Sequence, residues 1–428
     1  MRDDLDEKYP SMRDKITRKC PSLRDFFVYL QKNMDFMVDY SLISFMEERL
    51  KSTPVAFRRY MYSRINWESR LVGLTGPRGV GKSTMMLQYM LAQTSRKHML
   101  YVAADHIWFA THSLVELADD FVKSGGKWLC IDEAHRYEGW SREIKQIYDG
   151  HPDLRIAFTG SSVLDINRGE ADLSRRALMY HMQGLSFREY LEMFHSIEAP
   201  LLSLEDILNG DVSMPDALEH PLPLFRQYLA EGYYPFAIEG DLAQRVQQIV
   251  SLTVETDIPM YADMKAATAR KLKQMLGIIA ASAPYKPSAD HLAQEIKVSK
   301  NNVPDYLLWL EKAGMIGQLR DDTGGMRGLG KVEKVFLDNP TLMTILSGSR
   351  PNIGNLRETF FYNQMRVDND IMSSKISDFR IKDATFEVGG RNKGQRQIRE
   401  AEKGYVVKDD IEFRHANIIP LFLFGLTY

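Results

Sequence analysis

The stretch LTGPRGVGKSTMML, residues 74–87, combines three glycines, a lysine and three hydroxyl residues between an apolar run and a helical pattern. Its spacing fits G-x-x-x-x-G-K-[ST], with Gly76, Gly81, Lys82 and Ser83 at the fixed positions. Glycine permits the positive φ angles that turn successive backbone amides toward a phosphate, and a helix N-terminus favours an anion. The stretch therefore predicts a phosphate-binding loop between a strand and a helix.

The residue types in this loop predict how a nucleotide is held. Lys82 is expected to neutralise the β- and γ-phosphates of ATP, and the Ser83 hydroxyl to ligate Mg²⁺. A glycine-rich turn that binds nothing is the plain alternative, which the flanking strand and helix disfavour. The predicted nucleotide-binding residues are Gly76, Pro77, Arg78, Gly79, Val80, Gly81, Lys82, Ser83 and Thr84.

A second motif, WLCIDEAHR at residues 128–136, is an apolar strand that ends in two carboxylates. Asp132 is predicted to join Ser83 in the Mg²⁺ shell, and Glu133 to polarise a water for attack on the γ-phosphate. An acidic surface turn is the alternative for an isolated pair of this kind. We expect the following strand, LRIAFTGSS at residues 154–162, to lie between the carboxylate strand and the phosphate-loop strand.

Further polar residues are candidates for contact with the γ-phosphate. Thr159 and Ser161, at the end of the LRIAFTGSS strand, are placed to orient the water, whereas Ser161 and Ser162 fit a helix N-cap equally well. Arg175 or Arg176 is a candidate to stabilise γ-phosphate charge, in its own subunit or a neighbouring one. An ordinary surface ion pair is the alternative for either arginine.

The order of patterns along the chain predicts the architecture. Short apolar runs alternate with helical patterns from about residue 70 to 185, which is typical of an α/β fold with a parallel sheet of the P-loop NTPase type. Later, two amphipathic helices and a glycine-rich hairpin indicate a winged helix. The predicted units are an N-terminal helical extension (1–67), a P-loop ATPase core (68–200), a helical lid (201–265), a winged-helix domain (266–345) and a small α/β domain (346–428).

Seven segments together resemble a large, poorly characterised family of bacterial and archaeal AAA-type ATPases. They are GPRGVGKST, CIDEAH, WSREIKQIYD, IAFTGSS, LSRRALMY, GLSFREYL and EGYYPFA. The resemblance runs from about residue 58 to the end and implies an ATPase core, a winged helix and a nuclease-like C-terminal region. It implies that Lys82, Ser83, Asp132 and Glu133 serve ATP, Mg²⁺ and water activation, and it strengthens the case for Arg175 or Arg176. It implies no cellular task.

The terminal domain matches nucleases of the related fold less well. Such enzymes place an acid at one strand end and E-x-K on the next strand, to hold a metal and position water. This chain offers Asp378 and Glu387, with Glu358 from the preceding helix, but Gly389 stands where the lysine is expected. The nearest lysine is Lys393. This departure favours a non-catalytic arrangement in which Glu387 pairs with a nearby basic residue.

The winged helix raises the question of DNA contact, since residues 300–302 (Lys300, Asn301 and Asn302) would open its recognition helix. Residues 284–335 carry eight Lys and Arg against seven Asp and Glu, whereas phosphate contact demands a clearly basic face. A packing module between ATPase and partner domains is the alternative. The candidate basic patches are the wing residues Arg327, Lys331 and Lys334 and the segment 391–403.

The composition of the chain indicates its expected partners and cellular compartment. The 428 residues carry a net charge of −2, which gives no overall attraction to nucleic acid or an anionic membrane. The charged N-terminus has no signal core, and the longest apolar run is about half of what a bilayer requires. Two cysteines, Cys20 and Cys130, are too few for a disulfide framework and fit a reduced cytoplasm.

These observations favour an Mg²⁺-dependent ATPase whose nucleotide state moves the lid, the winged helix and the terminal domain. The device is either a motor or a switch. A nucleic-acid-binding regulator or nuclease-like defence factor gated by ATP is the alternative. A small-molecule kinase with the same loop is disfavoured by the acidic pair and the appended domains. A protein partner is expected without being identified, and the oligomeric state stays open.

Overall fold

The computed structural model describes residues 38–160, 173, 175–262, 264, 266–282, 284–286, 288–322, 330–348 and 351–428. Residues 1–37, and with them Cys20, lie outside these ranges. The candidates Ser161, Ser162 and Arg327 also lie outside them, so their predicted roles stay predictions.

The first sheet is parallel and has the strand order β2-β3-β4-β1-β5. Its central strands are buried on both faces, as their uninterrupted apolar sequences require. Because β4 lies between β1 and β3, the predicted separation of the phosphate-loop and carboxylate strands is confirmed, as is the α/β class. The strands are β1 (Leu71–Thr75), β2 (Met99–Ala103), β3 (Trp128–Asp132), β4 (Arg155–Thr159) and β5 (Leu178–His181).

Helices cover this sheet, and the first of them belongs to the described part of the predicted N-terminal extension. Its buried residues Leu42, Met46 and Leu50 recur at helical spacing and share one hydrophobic core with the sheet. Residues 38–67 are therefore packed onto the parallel-sheet unit. The helices of this part are α1 (Tyr40–Ser52), α2 (Met61–Arg64), α3 (Lys82–Leu91), α4 (Leu114–Lys123) and α5 (Trp140–Gly150).

The helices that follow are divided between two further cores. Phe187 and Tyr228 pack with aromatic residues of the terminal domain, whereas Val246, Val250 and Val254 pack with the helices after residue 266. The segment 201–265, which we call the lid segment, thus contacts both neighbours. The helices are α6 (Phe187–His195), α7 (Leu204–Asn209), α8 (Leu222–Glu231), α9 (Leu242–Leu252), a π-helical turn (Thr253–Asp257) and α10 (Ile258–Ala262).

Residues 266–346 form a helical unit with a two-stranded antiparallel sheet, in which Tyr285 adds an isolated bridge to Val335. Its first helix is the longest among the described residues, and none of the helices there is long and apolar enough to cross a membrane. The elements are α11 (Ala266–Ser282), α12 (Ala289–Ile296), α13 (Val303–Lys312), β6 (Ile316–Arg320), β7 (Val332–Leu337) and α14 (Pro340–Leu346).

The terminal unit is a mixed five-stranded sheet with one long helix, as expected for a small α/β domain. Strand order is β12-β11-β10-β9-β8, and β10 pairs parallel to β11 but antiparallel to β9. The chain returns to the parallel-sheet unit at Tyr428, which is buried against Tyr60. The elements are α15 (Ile353–Met365), β8 (Ile371–Ser373), β9 (Phe379–Ile381), β10 (Ala384–Gly389), β11 (Lys403–Lys408), β12 (Ile418–Pro420) and a 3₁₀ segment (Leu421–Leu426).

Candidate nucleotide-binding site

The phosphate loop occupies the turn between β1 and α3, where the sequence predicted it. Gly76, Gly79 and Gly81 have φ angles of 141°, 77° and 97°, which L-residues rarely adopt. A Cβ atom at Gly76 would overlap with the carbonyl oxygen of Met182. Glycine is therefore required there for both backbone conformation and space.

The loop and the helix behind it fit an anionic ligand. The N-cap of α3 is Gly81, which supplies no side chain to the first-turn amides, whereas Ser113 caps α4. The Lys82 ammonium is buried and donates hydrogen bonds to the carbonyl oxygens of Gly76 and Pro77, both at 2.8 Å. Burial lowers the pKa of Lys82 to about 8, while the nearby carboxylates oppose this shift. Backbone amides and a buried ammonium together match the β- and γ-phosphates of ATP.

Ser83 and Asp132 are brought together across the β1–β4–β3 part of the sheet. The Ser83 hydroxyl donates to Oδ1 of Asp132 at 2.9 Å. Tyr101, on β2, donates to Oδ2 at 2.6 Å, and the hydroxyl of Thr159 donates to Oδ1. Hydroxyl and carboxylate oxygens are the ligands that Mg²⁺ prefers, so this pair fits the predicted metal position. Bound there, Mg²⁺ would neutralise phosphate charge.

Glu133 follows β3 in a left-handed backbone conformation, with φ 51°. Its N–H donates to the Thr159 hydroxyl at 2.9 Å, so one threonine contacts both acidic residues. Its Oε2 atom lies 3.4 Å from Nε of Arg136, 3.5 Å from Nη1 of Arg78 and 3.6 Å from Nε2 of His135. Burial lowers the pKa of His135 to about 3, so this imidazole is neutral at neutral pH.

The loop also contacts residues that are distant in sequence. Arg78 forms a bidentate ion pair with Asp257 of the π-helical turn, with Nε–Oδ2 2.6 Å and Nη2–Oδ1 2.9 Å. A Cβ atom on Gly79 would come within 2.5 Å of the Phe236 ring, and one on Gly314 within 2.8 Å of Pro77 Cγ. The lid segment and the end of α13 therefore pack directly on the phosphate loop.

Arg175 and Arg176 are not brought to the loop of their own chain. They precede β5, whose first residue pairs with Val72 near the start of β1. The phosphate loop follows the other end of β1, so the two arginines lie at the end of the sheet that is away from the loop. A strand of this length separates the two ends of the sheet by about 13 Å. Arg176 instead makes a bidentate pair with Asp149 at the end of α5, with both N–O distances 3.0 Å. The ordinary ion pair is what this chain shows for Arg176, and a role toward a neighbouring subunit stays a prediction.

Three residues of the site were not predicted from the sequence: Tyr101, Asp257 and Arg59. The Arg59 side chain is 5% exposed, pairs with Glu189 at 2.9 Å and donates to the carbonyl oxygen of Val80 in the loop. Its Nη2 atom also donates to two backbone carbonyls after β5. None of the three was singled out by a sequence motif; their partner Glu189 lies in the segment GLSFREYL, which contributed to the family resemblance.

The acidic residues of the terminal domain meet lysines. Lys334 on β7 bridges Glu358 at 2.8 Å and Asp378 at 3.0 Å. Lys393 pairs with the buried Glu387, and its stem crosses Gly389, where a Cβ atom would lie 2.6 Å from Lys393 Cγ. Glu387 therefore pairs with a basic residue, as the non-catalytic interpretation expected. Within the described ranges, no group of three or more His, Cys, Asp and Glu side chains is arranged to hold a metal.

Several lysines of the predicted recognition helix and of the candidate basic patches are engaged by acids. Lys300 pairs with Asp290 at 2.8 Å, Lys331 with Glu333 at 2.9 Å, and Lys403 of the segment 391–403 with Asp383 at 2.6 Å. The face of α13 that carries Leu308, Glu311 and Lys312 lines a cleft of about 710 Å³ that also includes Pro77. This side of the helix is turned toward the phosphate loop.

Two parts of the chain match family models. Residues 68–191 match the family described as AAA domain, and residues 222–352 match a domain of unknown function (DUF8612). The first match contains the phosphate loop, both acidic residues and Thr159. The second contains Asp257 and the helical unit with β6 and β7.

Individual proteins show more distant likeness. "Uncharacterized protein MJ1637" of Methanocaldococcus jannaschii is 25% identical over 273 residues, which cover 59% of this chain and 57% of that relative's length. The Walker-type ATPase PABY2304 of Pyrococcus abyssi has a TM-score of 0.42 at 15% identity, over 70% of this chain and 99% of that one. AMPPCP-bound DnaA from Aquifex aeolicus has a TM-score of 0.24 at 13% identity, over 65% and 90%. The family match at residues 68–191 supports an AAA-type ATPase.

Proposed function

We propose that this chain binds and hydrolyses ATP with Mg²⁺ and uses the nucleotide state to move its lid segment and C-terminal units. Lys82 and the loop amides would hold the phosphates, Ser83 and Asp132 the metal, and Glu133 would polarise the attacking water. Thr159 would keep the two acidic residues in place. The free, buried thiol of Cys130 fits a reduced cytoplasmic setting.

The observation that carries the coupling proposal is the set of contacts between the phosphate loop and later parts of the chain. Pro77 packs on Gly314, Arg78 pairs with Asp257, and Gly79 lies against Phe236. A change in the loop on nucleotide binding would therefore be transmitted to the lid segment and to α13. Close-packed contacts of this kind transmit small displacements to neighbouring units.

We further propose that residues 266–345 are a winged helix used for packing. The order α11, Tyr285, α12, α13, β6 and β7, with the bridge between Tyr285 and Val335, supports this assignment. The cleft face of α13 and the paired lysines favour packing over DNA contact. Stimulation of ATP turnover by duplex DNA would favour the DNA interpretation instead.

The proposed activity is tested by phosphate release at steady state, with ATP and Mg²⁺, for the wild type and Lys82→Ala. Loss of the ammonium removes the charge that faces the phosphates, so the variant should lose both nucleotide binding and turnover. Sizing with and without ATP, run alongside, reports the oligomeric state. Phosphate release by the Lys82→Ala variant at the wild-type rate would contradict the proposal.

The nuclease alternative can be separated from the ATPase in the same preparation. Metal-dependent DNA cleavage that is lost in Glu387→Ala but retained in Lys82→Ala would support a nuclease-like factor. The pairing of Lys334 and Lys393 with the acidic residues disfavours it, because the ammonium groups already neutralise the carboxylates that a metal would need.

A further inference from the structure

Arg78 lies between two carboxylates that come from different parts of the chain. Its contacts with Asp257 are short and bidentate, at 2.6 and 2.9 Å, whereas its Nη1 atom is 3.5 Å from Oε2 of Glu133. Bidentate arginine–carboxylate pairs are among the strongest charge-assisted hydrogen bonds, and 3.5 Å is at the limit of such a bond. Asp257 therefore determines the direction of the guanidinium group, and Glu133 is its weaker partner.

Asp257 is well placed to hold that arginine. Its side chain is 8% exposed and that of Arg78 is 15% exposed, so water screens the pair little. It lies in the π-helical turn between α9 and α10. Such turns are rare in proteins, and those that occur are often found at functional sites. Phe236 and Ile249 of the same lid segment pack on Gly79. The lid segment thus holds both the backbone and the arginine of the loop.

A guanidinium fully paired with Glu133 would occupy the carboxylate oxygens that the attacking water must reach, and so would impair this residue as a general base. We infer that Asp257 is a positioning residue for ATP hydrolysis, which draws the guanidinium of Arg78 away from full pairing with Glu133. The Nε atom of Arg136, from the turn that follows Glu133, lies 3.4 Å from the same Oε2 atom and is a separate contact. This inference rests on the proposed ATPase activity. Because Asp257 belongs to the lid segment, the position of that segment would influence how Glu133 acts as a base.

Asp257→Asn is the variant that separates this role from nucleotide binding. Without its charged partner, Arg78 turns to Glu133, and we expect kcat to fall about tenfold while the affinity for a fluorescent ATP analogue stays within about twofold. Glu255→Gln is the matched control, since Glu255 lies in the same turn but pairs with Lys273 on the exposed side. This control should keep the wild-type kcat.

The double variant Arg78→Gln/Asp257→Asn gives the decisive comparison. Removal of the arginine takes this one contact away from Glu133, so the double variant should turn over faster than Asp257→Asn alone and match Arg78→Gln. A role in stability alone would make the double variant no faster than the single one. The inference is overturned if Asp257→Asn matches Glu255→Gln, or if the double variant shows no recovery.

A second readout does not depend on turnover. Hydrogen exchange of residues 253–262 in the absence of nucleotide should rise in both Arg78→Gln and Asp257→Asn, because each breaks the same link, and should not rise in Glu255→Gln. Unchanged exchange in the first two variants would overturn the inference whatever the kinetics. Failure of the wild type to release phosphate would instead overturn the proposed function and leave the measured link between Arg78 and Asp257 intact.

Discussion

The hydroxyl of Thr159 donates a hydrogen bond to Asp132 and accepts one from the backbone N–H of Glu133. The end of β4 thus fixes Asp132, the last residue of β3, and Glu133, which follows it. Such an arrangement resembles the hydrogen bonds that orient the ligands in metal sites. Loss of one such hydrogen bond lowers metal affinity or activity.

We expect Thr159→Val to reduce ATP turnover about tenfold or more, since valine keeps the shape but leaves Asp132 and the Glu133 amide without their hydroxyl partner. Thr159→Ser retains the hydroxyl and should stay close to the wild type. The measurement is steady-state phosphate release over a range of Mg²⁺ concentrations. Equal activity of the valine and serine variants would contradict this role.

The buried pair of Arg59 and Glu189 should be important for stability. Glu189 accepts hydrogen bonds from Arg59 and from the backbone N–H of Tyr60, and it is 1% exposed. Glu189→Gln leaves a buried guanidinium without its counter-charge, so we expect a loss of about 3–5 kcal/mol in the free energy of unfolding. Urea unfolding measures this loss.

A matched control exists in the pair of Arg64 and Asp368, which is also bidentate but more than a third exposed. Asp368→Asn should cost at most about 1 kcal/mol, because water screens the exposed charges. If the two variants lose equal stability, the buried pair has no special role in holding the loop.

The pH dependence of stability should report the buried His135. Its pKa is about 3 in the folded protein and about 6.5 in an unfolded chain, so the unfolded state takes up a proton first as the pH falls. The stability that this histidine contributes is present above pH 6.5 and is lost toward pH 3, at about 1.4 kcal/mol per pH unit.

This prediction is checked by urea unfolding of the wild type and His135→Gln at several pH values between 5 and 7.5. Glutamine does not titrate, so the variant should lose stability less steeply with acid. Parallel curves for the two proteins would show that His135 does not carry the effect.

The sequence predicted the parts of the site that depend on local spacing. The loop from Gly76 to Ser83 forms because its glycines, lysine and hydroxyl follow one another, and Asp132 and Glu133 end an apolar strand. The position of β4 between their strands also follows from the strand order of this fold class. The loop and the acidic pair could be predicted because each lies within a short continuous segment of the sequence.

Other contacts could not be predicted, because their partners are far apart in the chain. Asp257 is 179 residues from Arg78, and Glu189 is 130 residues from Arg59. No local pattern of charge or periodicity identifies which acid a given arginine will meet after folding. The ion pair of Arg176 with Asp149 could not be predicted for the same reason, because it forms only when α5 packs beside the start of β5.

The most direct test of the account is Glu133→Gln, measured for ATP-analogue binding and for phosphate release in parallel. Glutamine keeps the size of the side chain but cannot accept the proton of the attacking water, so binding should persist within about twofold while turnover falls by about a hundredfold or more. Glu143→Gln is the control, because that carboxylate lies on α5 and bonds Tyr137. Normal turnover in Glu133→Gln would contradict the assignment of the base and with it the proposed mechanism.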